Sequence, residues 1–284
     1  MGRWPLLQNM GKLEVKFWGV RGSVPAPGPQ TTVYGGNTSC VEVRAGDELL
    51  ILDMGSGLRA LGQELSGTPR RASMLLSHYH WDHIQGLPFF GPVYDPRFSF
   101  DIYGATRDAR GIRELLAGQM SPPYFPVSLE TCRAKLTFHP VADREVLAIG
   151  EARVTARELN HPNGALGYRI DYAGRSLVYA TDNEHGTRTD DTLVELASGA
   201  DVLIYDAMYT PAEYSGDGKS SRVGWGHSTW EAGVLTARRA GARTLVLFHH
   251  DPGRTDEGLE EILGQARKQH PNTRMAREGK TLEL

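Results

Sequence analysis

A chain of 284 residues is long enough to bury a core of ordinary size, in one large domain or two modest ones. Its 31 Lys and Arg against 34 Asp and Glu leave a formal charge of -3, which supplies no global attraction to nucleic acid or an anionic membrane. No apolar run approaches the roughly 18 residues that a membrane span requires, and Cys40 and Cys132 have no paired spacing, so a soluble, reduced, cytoplasmic protein is expected.

Residues 1–12 mix Trp4, Leu6 and Leu7 with Pro5, Gln8 and Asn9 and read as an appendage, with Met10 an alternative start; the domain proper is expected to run from 13 to 284. Apolar runs rich in β-branched residues predict strands at 13–18, 39–44, 49–52 and 73–76, with a helix at 58–65. Residues 91–140 interrupt this pattern. A helix is expected over 106–120, followed by Ser121-Pro122-Pro123-Tyr124-Phe125-Pro126-Val127, a proline-stiffened loop whose Tyr124 and Phe125 either pack on the domain or face substrate as a lid. Strands return at 153–158, 167–171, 176–179, 202–205 and 244–248, with helical spacing at 191–197, 229–240 and 257–270. Two sheets packed face to face satisfy this order, because each buries one face on the other and its second face under helices. The fold class is therefore α/β (α+β), a four-layer αββα sandwich, and the absence of a repeat or linker favours one domain.

The chemistry begins at Ser77-His78-Tyr79-His80-Trp81-Asp82-His83, just after the apolar Met74-Leu75-Leu76. Three imidazoles and a carboxylate within six residues are too dense for routine core packing, and they are good ligands for zinc and related divalent ions. One segment cannot complete two coordination spheres. Three further strand ends offer compatible groups: His161 before Pro162-Asn163-Gly164, Asp182 after Leu177-Val178-Tyr179-Ala180-Thr181, and the doublet His249-His250 after Leu245-Val246-Leu247-Phe248. His249 fits the strand end better; His250 takes its place if the strand runs one residue longer. His185 reads as a loop histidine, and His139 and His270 have no supporting context.

This series, HxHxDH followed by a lone His, a lone Asp and a final His, resembles the metallo-β-lactamase superfamily over nearly the whole chain from about Leu13. The resemblance implies a four-layer metallo-β-lactamase sandwich holding two divalent ions, with zinc first and manganese or iron as alternatives. His78, His80 and His161 would hold one ion, and Asp82, His83 and His249 the other, with Asp182 bridging. Asp53, in Leu52-Asp53-Met54-Gly55-Ser56-Gly57, would orient a ligand histidine from behind, and His250 would lie behind the ligands as well. Two ions sharing a carboxylate acidify water and clamp substrate oxygens, which makes hydrolysis the expected reaction.

Gly224-Trp225-Gly226-His227-Ser228-Thr229 resembles the His-Ser-Thr loop of the ribonuclease Z and cyclic-nucleotide phosphodiesterase branches, where it reads otherwise as a helix start. The resemblance implies that His227 touches the scissile phosphate or protonates the leaving oxygen. Asp206, at the end of Leu203-Ile204-Tyr205-Asp206, would keep it protonated, so His227, Asp206 and Asp82 are the expected catalytic groups. Gly19-Val20-Arg21-Gly22-Ser23, Tyr34-Gly35-Gly36-Asn37-Thr38-Ser39-Cys40 and Phe248-His249-His250-Asp251-Pro252 resemble bacterial class II-like cyclic-nucleotide phosphodiesterases. Their glycines suit tight turns, and Arg21 or Asn37 is a candidate for phosphate contact. The expected partner is a small phosphodiester rather than nucleic acid, because the long basic arm of ribonuclease Z is missing. A lactone, thioester or other carboxylic-ester hydrolase, a ribonuclease Z-like endonuclease, and a metal-bound protein without turnover are the rival readings. Relatives of this kind often pair, so a homodimer is also an expectation.

Overall fold

The computed structural model describes residues 11–68, 70–187, 189–217 and 220–284. Most of the expected appendage, residues 1–10, lies outside them. The first half contributes β1 (Leu13–Gly19), β2 (Cys40–Ala45), β3 (Glu48–Leu52), α1 (Leu58–Leu65), β4 (Arg71–Leu75), α2 (Trp81–Ile84), β5 (Ser99–Gly104), α3 (Ile112–Gln119) and β6 (Lys135–Pro140). The second half contributes β7 (Val146–Ile149), β8 (Ala152–Leu159), β9 (Ala165–Tyr172), β10 (Arg175–Ala180), α4 (Thr189–Leu196) and β11 (Val202–Asp206). It continues through α5 (Pro211–Ser215), α6 (Trp230–Ala240), β12 (Thr244–Phe248), α7 (Asp256–Gln269), β13 (Thr273–Met275) and β14 (Thr281–Glu283).

Among the described residues the strands form two seven-stranded sheets, ordered β14-β1-β2-β3-β4-β5-β6 and β13-β12-β11-β10-β9-β8-β7. Period-two alternation decides which side chains turn inward. In β1, Leu13, Val15 and Phe17 are buried while Glu14, Lys16 and Trp18 are only partly covered. They meet Val154, Ala156, Ile170, Tyr179 and Phe248 of the second sheet in one core between the sheets. The outer faces are buried too. Leu58, Leu61 and Leu65, spaced at three and four residues, set α1 on the first sheet, and Val234 and Ala237 of α6 with Leu259, Leu263 and Ala266 of α7 cover the second. Each buried Leu or Val contributes about 1.5–3 kcal/mol of transfer free energy. The layers are therefore helix, sheet, sheet, helix, the αββα sandwich. No helix among the described residues is long and apolar enough to cross a membrane.

The topology brings the chemistry to one edge. β3, β4, β5 and β6 run parallel, as do β10, β11 and β12, and β8 shares the direction of β10 because both are antiparallel to the intervening β9. Their C-terminal ends open toward the same rim of the sandwich, the usual place for a site in sheets with parallel strands.

Residues 91–140 are built differently from the sequence expectation. β5 and β6 extend the first sheet, and the helix expected over 106–120 is shortened to α3. Arg107 and Arg110 close a reverse turn in which Asp108 and Ala109 take φ of 50° and 60°, a conformation that excludes a right-handed helix there.

Candidate metal centre and active site

Asp53 follows β3, Ser77 to His83 follow β4, His161 follows β8, Asp182 follows β10, Asp206 ends β11 and His249 follows β12. Chain segments separated by up to about two hundred residues thus meet because their strands end together. His78, His80 and His161 place one ring nitrogen each within 4.8 Å of the others, and Asp82, His83 and His249 do the same with two nitrogens and a carboxylate oxygen. Asp182 stands between the groups. Its Oδ1 lies 3.7 Å from His78 Nε2 and 3.8 Å from His161 Nε2, while its Oδ2 lies 3.1 Å from His83 Nε2 and 3.3 Å from His249 Nε2.

Hydrogen bonds on the far side of the rings assign their tautomers. His83 Nδ1 donates to Asp53 Oδ2 at 2.8 Å, His161 Nδ1 donates to the Gly226 carbonyl at 2.8 Å, and His78 Nδ1 lies 3.0 Å from Ser77 Oγ. Each of these Nδ1 atoms is engaged away from the cluster, so the Nε2 atoms point into it. His83 Nε2 and His249 Nε2 approach to 3.2 Å, His161 Nε2 and His80 Nδ1 to 3.1 Å, and His78 Nε2 is buried with no hydrogen-bond partner. An unpaired buried polar atom costs about 1–3 kcal/mol. A divalent cation is the partner that such a donor set fits.

The protonation tendencies agree. Burial lowers the pKa of His78, His80 and His161, which keeps them neutral and available as ligands. Burial would also lower His83, but Asp182, Asp82 and Asp53 outweigh it and hold the ring charged. Burial opposes ionisation of Asp182 and Asp82, yet the surrounding histidines keep both well below the ordinary carboxylate range. The carboxylates thus call for positive charge in the place where a cation would displace the His83 proton.

Beside this cluster, His227 Nδ1 donates to Asp206 Oδ2 at 2.8 Å, and Asp206 Oδ1 accepts from the backbone of Met208 and Ser228 at 3.1 and 3.3 Å. Burial pushes His227 down, but the charge and hydrogen bond of Asp206, assisted by Asp182 and Asp82, raise it to about 9. His227 opens with His80, Asp82 and Asp182 onto a cavity of about 480 Å³. A larger one of about 830 Å³ shares Tyr79, His80 and Trp81 with it and is walled by Phe89, Tyr124 and Phe125 on one side and Arg107 on another. Tyr124 is 82% exposed, and Phe125 packs edge-on against Phe89 at 5.7 Å.

Some expectations need correction. His250 does not support a ligand: its Nε2 lies 2.9 Å from the Ala276 carbonyl, and burial lowers it to about 3. β12 ends at Phe248, so the next residue, His249, is the one that turns in. Arg21 reaches no phosphate position. It is fully buried and donates to the carbonyls of Gly35, Asp251 and Arg254, joining the loop after β1 to the loop after β12. Asn37 is engaged by Glu278. Gly22 has a reason other than a turn, since a Cβ there would overlap the His249 ring and the Met208 methyl group.

Several contributors were not singled out from sequence. Asp53 is held by Ser77 N, Ser77 Oγ and Tyr179 Oη at 2.7, 2.8 and 2.8 Å, and the backbone N–H of Ser23 donates to Asp82 Oδ2 at 2.8 Å. Ser77 was legible by its place in the motif. Tyr179 and Ser23 carry no sequence signal, because their partners lie far along the chain.

Two facing mixed sheets with a His/Asp cluster at one rim define a hydrolase of the metallo-β-lactamase fold. The beta-lactamase superfamily domain matches residues 51–250, and the chain belongs to that superfamily. An uncharacterized protein of Mycobacterium tuberculosis is 31% identical over 225 residues, covering 77% of this chain and 74% of the relative. A ribonuclease Z of Mycobacterium avium is 27% identical over 269 residues, covering 84% of this chain and 86% of its own. Among solved structures, a diphosphatase of the PhnP family superposes with a TM-score of 0.72 at 19% identity, over 96% of this chain and 97% of that one, a likeness of fold.

Proposed function

We propose that the protein is a phosphodiesterase acting on a small substrate such as a cyclic nucleotide. The observation that carries this reading is the His227–Asp206 pair, hydrogen-bonded at 2.8 Å and opening onto the same cavity as Asp82 and Asp182. In this reading His78, His80 and His161 would hold one divalent cation and Asp82, His83 and His249 a second, with the Asp182 carboxylate available to both. Two such ions acidify water and neutralise phosphoryl oxygens, with zinc the leading choice and manganese or iron compatible with the same donors.

The chain's own residues supply the rest. His227 hands its proton to the departing alkoxide oxygen, and Asp206 holds the ring in the tautomer and charge state that this requires. Asp53 fixes His83. Trp81, Phe89, Tyr124 and Phe125 receive the non-reacting part of the substrate, since aromatic rings offer stacking faces to a nucleobase at about 1–3 kcal/mol per base. The ribonuclease Z relative favours phosphoryl chemistry, while a formal charge of -3 favours a small substrate over a polynucleotide. The two free, widely separated cysteines suit a cytoplasmic setting.

The test is a panel on the purified protein with zinc or manganese: bis(p-nitrophenyl) phosphate, 3′,5′-cyclic nucleotides, lactones, thioesters and transfer-RNA precursor. Metal-dependent turnover of the small phosphodiesters is expected. Turnover confined to the lactones and thioesters would replace this reading with that of a carboxylic-ester hydrolase, and turnover confined to precursor RNA with that of an endonuclease.

A further inference from the structure

Glu184 takes no part in the chemistry above, yet it touches three of the segments that build the site. Its carboxylate is buried and accepts three hydrogen bonds, Oε1 from Tyr214 Oη at 2.7 Å and from Gly224 N at 2.6 Å and Oε2 from Gly226 N at 2.8 Å, while Arg222 N donates to the Tyr214 carbonyl at 3.0 Å and closes the loop. Its backbone N–H donates to the Asn160 carbonyl at 2.7 Å, and Asn160 Nδ2 returns a bond to the Glu184 carbonyl at 2.9 Å. Asn160 precedes His161, Asp182 lies two residues before Glu184, and Gly226 precedes His227.

The consequence falls on Gly226. Its amide is fixed by Glu184 Oε2, its φ of 85° suits glycine, and a Cβ would overlap the His161 ring and Pro162. So placed, its carbonyl receives the His161 Nδ1 proton at 2.8 Å. We propose that Glu184 is a positioning residue, which by clamping the Gly224 and Gly226 amides aims the Gly226 carbonyl at His161 and so selects the tautomer whose Nε2 lone pair faces His78 and His80. This rests on the reading that those three histidines hold a divalent cation. The side chain has to be acceptor-only. Two backbone N–H groups and a phenol converge on it, and an amide in its place would turn its own N–H₂ toward one of those donors, leaving a buried clash of like groups.

The test is Glu184→Gln, with Glu184→Asp as a second variant that keeps the charge but shortens the reach. In the metal-free protein, long-range ¹⁵N–¹H correlations of the imidazoles report the tautomer of His161: Nδ1-protonated in the parent chain, mixed in both variants. Zinc titration of the metal-free protein against a chromophoric chelator follows the two binding steps, His161→Ala identifying the one that contains His161. In both variants that step is expected to weaken about 10–100-fold, the scale for loss of a ligand's supporting partner, while the other step holds. An unchanged His161 tautomer, or equal weakening of both steps with a fall in melting temperature, would overturn the proposal. Neither readout involves a substrate, so failure of the phosphodiesterase panel bears on the proposed function and leaves this inference to its own test.

Discussion

His227 pairs with Asp206 as His83 pairs with Asp53, but His227 opens onto the cavity. Asp206 accepts the Nδ1 proton and stabilises the imidazolium against the cost of burial, raising the ring to about 9. A general acid matters in proportion to how poor the leaving group is. His227→Ala should therefore reduce kcat about 10²–10⁴-fold for a cyclic nucleotide, whose leaving group is an alkoxide, and far less for a p-nitrophenyl ester, whose leaving group departs without a proton. Metal content should stay as in the parent chain. An equal loss on both substrates would assign His227 to binding rather than proton transfer. Asp206→Asn tests the same pair through pH. Removing the carboxylate lowers the imidazole pKa, and the basic limb of kcat marks loss of the acid's proton, so that limb should move to lower pH. A limb that stays in place would separate Asp206 from the proton.

At the level of elements, the rim is made by strands that end together and by backbone that turns sharply as it leaves them. Asp53, Asp182 and His249 adopt φ of 60°, 53° and 59°, left-handed conformations that cost non-glycine residues about 1–3 kcal/mol each and that the sheets and buried hydrogen bonds hold in place. The strands carrying the site were legible because they alternate or run apolar and then meet His or Asp. Short edges were not legible: β13 and β14 are three residues each and exist by pairing with β12 and β1 rather than by composition. β5 does alternate, with Phe100 and Ile102 buried, but Pro92 and Pro96 ahead of it disguised the signal. Glu184 gave no signal at all, since its side-chain partners Tyr214, Gly224 and Gly226 lie 30, 40 and 42 residues along the chain. Helix starts were more visible. Thr229 caps α6 by accepting from Ala232 N at 3.2 Å, so Thr229→Ala should cost about 1 kcal/mol in urea unfolding. Its effect on kcat should be small, because Asp206 and the Tyr209–Ser228 backbone bond hold the preceding turn independently. A collapse of kcat with unchanged stability would mean that the cap itself aims His227.

At the scale of the whole molecule, the rim is where the two sheets are joined by polar groups instead of apolar ones. The first sheet supplies Asp53 and the segment His78 to His83, and the second supplies His161, Asp182 and His249. A cation bound by donors from both sheets favours the folded chain over the unfolded one, which scatters those donors. At a concentration a hundredfold above its Kd, one bound ion adds about 2.7 kcal/mol by mass action. For a chain of 284 residues 1 kcal/mol shifts the melting temperature by about 2 °C, so chelation of that ion should lower it by about 4–6 °C. Zinc or manganese should restore both the transition and activity. Differential scanning calorimetry before and after chelation, paired with metal analysis, checks this. If metal leaves and the transition does not move, the donors of the two sheets are not joined through a cation, and the convergence of lone pairs at the rim requires another partner.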